Sequence, residues 1–234
     1  MWQVLVLSLG FSRRKASLLF RTCENGNSVT FGVIDRSNMK SKLWRRLWHL
    51  AGGSVFPVLA FFVPKEALLT ILGAVTGVFV IWEIARLKNL RVNKWMSSHL
   101  RVMLKEEEQL RPTGTTYLLL ASLAAFLLFE KYVAITSLLF LSIGDLVAAV
   151  IGEEYGRQVL FKNKTLEGSL ACLVSCLLIG MLMVGISPTM GLAVADIGAV
   201  SAAVVELLPI PIDDNLTIPL LSGAMMTLAA TCIV

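Results

Sequence analysis

The sequence predicts an all-α fold, a polytopic membrane helix bundle with about seven transmembrane helices and a cytoplasmic N-terminus. Three observations carry that expectation. The 234 residues are 56% hydrophobic and only 16% charged, and the mean hydropathy is +0.75, far from a soluble domain. Apolar runs recur at or near the ~20 residues needed to cross a bilayer. With the N-terminus inside, all of the 21 Lys and Arg residues except Lys65 and Lys131 fall on the cytoplasmic side, as the positive-inside rule requires.

The elements follow in order. Residues 1–42 are mixed and weakly periodic, with Arg13, Arg14 and Lys15 placed after a short apolar stretch. A secretory signal puts its basic residues first, so this segment is expected to be a flexible extension, or sequence upstream of a start at Met39. The membrane domain is expected over 43–234. Its first span, Leu47–Val63, begins beside Arg45, Arg46 and His49, with Trp44 and Trp48 as interfacial anchors. The second, Ala67–Ala85, closes on Glu83 and Arg86, which suit a structural ion pair and a catalytic role equally. Leu87–Pro112 is basic and then acidic (Glu106, Glu107, Glu108), the pattern of a helix lying on the cytoplasmic surface.

Thr115–Phe129 and Tyr132–Ile151 form the third and fourth spans, the latter carrying Asp145 toward its end. Ser169–Ile186, the fifth, holds Cys172 and Cys176 one turn apart; without a CxxC or Cys/His cluster their expected role is packing. Met190–Leu208 contains Asp196 in its outer half, and Leu216–Val234 follows Asp213, Asp214 and Asn215. This topology gathers Arg46, His49, Asp145, the lysine loop, Glu206, Asp213, Asp214 and Asn215 at the cytoplasmic interface. Ionisable groups inserted in spans cost about 2.5–3.5 kcal/mol each at mid-depth. A shared polar cavity would explain their clustering.

Residues 144–169, GDLVAAVIGEEYGRQVLFKNKTLEGS, are the richest segment. Asp145, Ala149, Gly152 and Gly156 share one helical stripe, so a carboxylate heads a face nearly devoid of side chains. That face suits the close approach of a bulky anion, with Lys162, Lys164 and Thr165 following as phosphate-binding groups; a small-residue packing stripe before a solvated basic loop is the alternative. Carboxylates and an amide suit Mg²⁺ or another hard cation, and lysines and arginines suit a polyphosphate. No GxxxxGK[ST] or kinase-type glycine loop is present, which excludes the usual soluble nucleotide folds. Nucleic acid is not an expected partner, because no basic groove with interleaved aromatics appears. Asn163-Lys164-Thr165 and Asn215-Leu216-Thr217 fit the glycosylation pattern, but on the cytoplasmic side both are coincidental.

The ordered motifs resemble those of the CTP-dependent lipid-alcohol kinases (dolichol kinase, yeast-type diacylglycerol kinase, phytol kinase). The resemblance runs from about Leu43 to the C-terminus and rests on Asp145, Ala148, Gly152, Gly156, Lys164, Thr165, Glu167 and Gly168. Arg45-Arg46-x-x-His49 with Gly53, Glu83-x-x-Arg86, Thr113-Gly114-x-x-Tyr117 and Asp213-Asp214-Asn215-Leu216-Thr217-Ile218-Pro219 add to it. Asn163 stands where the family commonly has lysine, leaving Lys162 to take that part.

The resemblance implies an integral membrane kinase domain that transfers the γ-phosphate of CTP to a lipid hydroxyl, with Mg²⁺ or another divalent cation. Polyprenol or dolichol leads as substrate, then diacylglycerol, then phytol. Asp145, Asp214, Arg46 and His49 are its catalytic candidates, and Asp145, Asp213 and Asp214 its metal ligands. Gly152, Gly156, Lys162, Lys164, Thr165, Glu167, Gly168, Asn215 and Arg111 would bind the nucleotide. The site would face the cytoplasm, from the plasma membrane in a prokaryote or the endoplasmic reticulum in a eukaryote. Phosphatidate cytidylyltransferase is the rival enzyme class, releasing pyrophosphate instead of CDP. A small-molecule transporter is the non-enzyme alternative, disfavoured because no inverted repeat is visible.

Overall fold

The computed structural model describes residues 18–24, 28–34, 36–89, 91–93, 111–161 and 164–233, with side-chain environments from residue 46 onward. Seven helices dominate the described residues: α1 (Arg36–Phe62), α2 (Lys65–Lys88), α3 (Gly114–Leu128), α4 (Lys131–Tyr155), α5 (Leu166–Ile186), α6 (Leu192–Leu207) and α7 (Asp214–Ile233). Each predicted span therefore coincides with a helix. Four of them, α2, α4, α5 and α7, are long and apolar enough to cross a membrane, while α3 is apolar but shorter. The 24 residues of α2 extend about 36 Å at 1.5 Å per residue, against a hydrocarbon core of about 30 Å.

The surface is apolar where a soluble protein's would be polar. Val78, Ile81, Leu128 and Phe62 are each more than two-thirds exposed, and α5 turns Leu170, Val174, Leu178, Met181 and Leu182 outward. Such continuous outward stripes suit hydrocarbon rather than water. The interior is closely packed by small residues and a few large ones: Ala121, Ala125, Ala195, Ala199 and Ala202 are fully enclosed, as are Phe140, Leu138, Leu141 and Met226. Along this core α6 lies between α5 and α7, α5 packs on α4, and α3 bridges α2 and α7.

Two short hairpins accompany the helices. Leu18–Glu24 pairs antiparallel with Ser28–Ile34 (β1 and β2), so the expected extension contains strands as well as the start of α1. Val159–Phe161 pairs with Lys164–Thr165 (β3 and β4), with a register irregularity between them. This second hairpin replaces the plain loop expected between the fourth and fifth spans. The expected surface helix lies largely outside the described residues, as do Lys162 and Asn163.

Helix α4 is not uniform. Residues Phe140–Asp145 form a π-helical segment between the α-helical pieces Lys131–Leu139 and Leu146–Tyr155. Within it Ser142 donates back to the Leu138 carbonyl at 2.9 Å. Gly53 of α1 sits directly against Ser142, so close that a Cβ there would collide with its hydroxyl. Helix α1 is thereby seated on the π segment, and its first turns are brought toward the end of α4.

A charged cluster where five helices meet

The polar end of the bundle is built from helix termini. Thr165 caps α5: its hydroxyl accepts from the Gly168 N–H at 3.2 Å, satisfying one donor that a helix start leaves over. Asp213 does the same for α7, its Oδ1 accepting from the Asn215 N–H at 3.0 Å and from Asn215 Nδ2 at 2.7 Å. That second bond fixes the Asn215 amide, whose Oδ1 faces His49 Nε2 of α1. An amide oxygen can only accept, so Nε2 carries the proton in this arrangement.

Lys164 occupies the centre. The β3–β4 hairpin projects it between α6 and α7, where its Nζ lies 2.6 Å from Glu206 Oε1 and 3.2 Å from Asp214 Oδ2. The other Glu206 oxygen accepts from Ser169 Oγ of α5 at 3.2 Å. Burial pulls the Lys164 pKa down, but the opposing carboxylates of Asp214, Glu206 and Asp145 outweigh it and hold the ammonium above its ordinary range. Asp145 is thus within electrostatic reach of Lys164, at the end of the π segment of α4. Lys164 and Asp214, far apart in sequence, are brought into contact, and Asp145 acts on the same lysine through space.

The remaining expected site residues fall into three groups. Arg46 reaches from α1 to α4, pairing with Glu153 Oε2 at 2.7 Å and lying 3.4 Å from the Ala149 carbonyl; a cation beside the last turn of a helix is favourable. Glu167 sits in the first turn of α5, where its Oε2 accepts from the Gln158 N–H at 3.3 Å. The glycines are taken up by packing. A Cβ on Gly168 would lie 2.8 Å from the Ala148 carbonyl and 3.2 Å from Gly152 Cα; one on Gly152 would lie 3.0 Å from Thr165 Oγ1. One on Gly156 would press into Thr165 and the Gly152 carbonyl. The bare stripe expected to admit an anion is therefore the surface through which α4 and α5 touch, as the packing alternative anticipates.

Glu83 and Arg86 form a separate, fully enclosed clamp. Arg86 Nη2 is 2.7 Å from Glu83 Oε1, and Nε is 3.2 Å from Oε2. The guanidinium also donates to the Arg111 carbonyl at 2.8 Å and to Asn93 Oδ1 at 3.2 Å. Glu83 Oε1 in turn accepts from the Thr113 N–H at 2.6 Å. The pair ties the end of α2 to the start of α3, which is the structural role; Arg111 contributes its backbone here, with its side chain exposed.

Ser169 and Glu153 join the site without having been assigned to it from sequence, and Glu206, expected in the polar cluster, was given no role there. Glu206 is visible as a lone carboxylate ending an apolar run, whereas Ser169 and Glu153 carry no such signal. As to metal, no group of three His, Cys, Asp or Glu side chains among the described residues converges to hold an ion. Asp213 is occupied by the α7 cap and Asp214 by Lys164, so the expected Asp145/Asp213/Asp214 cage is not assembled. The chemistry of the donors nevertheless fits a hard cation. The carboxylates of Glu206, Asp213 and Asp214 supply hard oxygen donors around Lys164.

An apolar, multi-helix protein with an acidic, lysine-centred cluster at one end is the class defined by fold and site. The chain is similar to two plant proteins, a probable chloroplastic phytol kinase 1 of Oryza sativa subsp. japonica and a probable chloroplastic phytol kinase of Zea mays. Each is 33% identical over 131 residues, half of this chain. The match spans less than half the length of those two relatives, 41% and 43% respectively. It is also 27% identical over 182 residues to an uncharacterized protein of Rickettsia prowazekii, covering 75% of this chain and 88% of that one. No family model matches, and no solved structure matches.

Proposed function

We propose that this chain is a membrane-embedded lipid-alcohol kinase that transfers the γ-phosphate of CTP to the hydroxyl of an isoprenoid alcohol. The observation that carries the reading is Lys164, held between Glu206 and Asp214 with Asp145 in electrostatic reach. Phosphoryl transfer needs mainly positioning and neutralisation of charge. In this reading the lipid oxygen bonds to Pγ as the bridge between Pγ and the β-phosphate breaks, releasing CDP. Asp145 accepts the hydroxyl proton. Lys164 donates to the phosphate oxygens, and the His49–Asn215 pair orients the neighbouring groups.

A nucleoside triphosphate is strongly anionic and the site carries several carboxylates, so the nucleotide is expected to arrive with Mg²⁺. That ion typically uses one or two carboxylates plus phosphate oxygens and waters rather than a protein cage; Asp145 and Asp214 are the residues that would hold it. The lipid chain is assigned to the outer face of α1. There Ala51, Ser54, Val55, Val58, Leu59 and Phe62 line an open apolar groove of about 370 Å³, beginning two residues past His49. The relatives' names move phytol-type alcohols ahead of polyprenol and dolichol, with diacylglycerol behind. The reading places the active site at the cytoplasmic face.

The test is purified protein in detergent, supplied with CTP or ATP, Mg²⁺, and a panel of phytol, polyprenol and diacylglycerol. The expected result is a lipid monophosphate and CDP, formed fastest from an isoprenoid alcohol. Pyrophosphate release, or no product from any alcohol, would overturn the proposal.

A further inference from the structure

We infer that Glu206 is a positioning residue, the fixed anchor that aims Lys164 at an incoming phosphate; this rests on the nucleotide-dependent reading above. The two carboxylates that hold the lysine differ in burial and in contact distance. Glu206 is nearly enclosed, with 4% of its side chain exposed, and contacts Nζ at 2.6 Å. Asp214 is 34% exposed and contacts it at 3.2 Å. A buried carboxylate cannot release its cation without leaving an uncompensated charge, whereas an open one can turn to water or to another cation.

Both oxygens of Glu206 are engaged, one by Lys164 and one by Ser169 Oγ. Ser169 stands in the first turn of α5 and Glu206 in the last turn of α6, so the carboxylate is held by two rigid elements. Lys164 itself sits on a two-residue strand with an irregular register, and its four-carbon stem is flexible. The rigidity needed to place the ammonium therefore comes from Glu206 and not from the hairpin. An ammonium has three N–H donors, and the described contacts use two. Lys164 can keep Glu206, give its free donor to a phosphate oxygen, and exchange Asp214 for a second one.

The experiment compares Glu206→Gln, Lys164→Ala, the double variant and Ser169→Ala by calorimetric binding of Mg–CTP, with KM and kcat for lipid phosphorylation alongside. Losing a charge-assisted hydrogen bond weakens binding about ten- to hundredfold. Lys164→Ala is expected at the upper end of that range and Glu206→Gln near tenfold, felt more in nucleotide KM than in kcat. Because Glu206 acts through Lys164, the double variant should bind no worse than Lys164→Ala. Ser169→Ala should shift binding in the same direction by a smaller factor, and it provides the test if Glu206→Gln fails to fold. Multiplicative losses in the double variant, or unaltered binding in both Glu206→Gln and Ser169→Ala, would overturn the inference. A wild-type protein that binds Mg–CTP but phosphorylates no alcohol would instead remove the kinase reading and leave the binding cycle intact.

Discussion

The Glu83–Arg86 clamp gives the most quantitative prediction. Replacing Arg86 with Met removes a guanidinium with no exposed surface and two hydrogen bonds to Glu83. The bonds to the Arg111 carbonyl and Asn93 go with it. Glu83, itself 3% exposed, is then a buried carboxylate whose remaining described partner is the Thr113 N–H. Breaking one side of a buried pair costs about 3–5 kcal/mol. The second variant, Glu83→Gln with Arg86→Met, removes both charges yet keeps an oxygen for the Thr113 N–H, and should recover all but about 1 kcal/mol.

Thermal unfolding in detergent, followed by tryptophan fluorescence, separates the cases. For a chain of this size each 1 kcal/mol shifts Tm by about 2–4 °C, so Arg86→Met should fall by roughly 6–20 °C while the double variant lies within about 4 °C of wild type. The double variant should also retain lipid phosphorylation. A stable but inactive double variant, or an Arg86→Met protein that melts like wild type, would refute a purely structural clamp.

Other perturbations probe the packing and the cluster. Gly168→Ala drives a Cβ to 2.8 Å from the Ala148 carbonyl and should destabilise by about 1–3 kcal/mol through overpacking. Gly73→Ala, which meets nothing within 4 Å, should be neutral or stabilising by up to about 1 kcal/mol in the same melting assay. Asp145→Ala should lower turnover about 10²–10⁴-fold, the worth of a general base, with expression and membrane insertion retained. Because the Lys164 pKa is raised above its usual 10.5, its ion pairs contribute fully below that value and are lost only as pH climbs past it. Stability measured from pH 7 to 9 should therefore show no decline that Lys164→Ala abolishes.

Much of the architecture was legible because bilayer-scale hydropathy is a strong signal. All seven apolar runs lie on helices, four of them long and apolar enough to cross a membrane, and carboxylates and basic residues at several helix ends meet. Arg46 at the start of α1 reaches Glu153 near the end of α4, and Lys164 joins the end of α6 to the start of α7. Lys65 at the start of α2 likewise meets the Phe129 carbonyl past the end of α3.

Local features were harder to read. The π segment before Asp145 depends on how Gly53 and Ser142 seat α1, and no periodicity encodes that. The β1–β2 hairpin did have a cue, Asn25-Gly26 between two β-rich runs, that hydropathy alone overlooks. At Gly152 and Gly168 the sequence admits either ligand approach or helix packing, since both need the same absent side chain. Only the position of α5 separates them. Asp213 likewise reads as a ligand or a cap until its bonds to Asn215 are seen.

The proposed reaction is a direct transfer of terminal phosphate to a lipid hydroxyl at the Asp145–Lys164–Asp214 cluster. Its most direct test supplies the purified protein with an isoprenoid alcohol and CTP labelled in either the γ- or the α-phosphate. γ-Label alone should enter the lipid, and Asp145→Ala and Lys164→Ala should each lose this transfer. Incorporation of α-label, or undiminished γ-transfer in both variants, would contradict it.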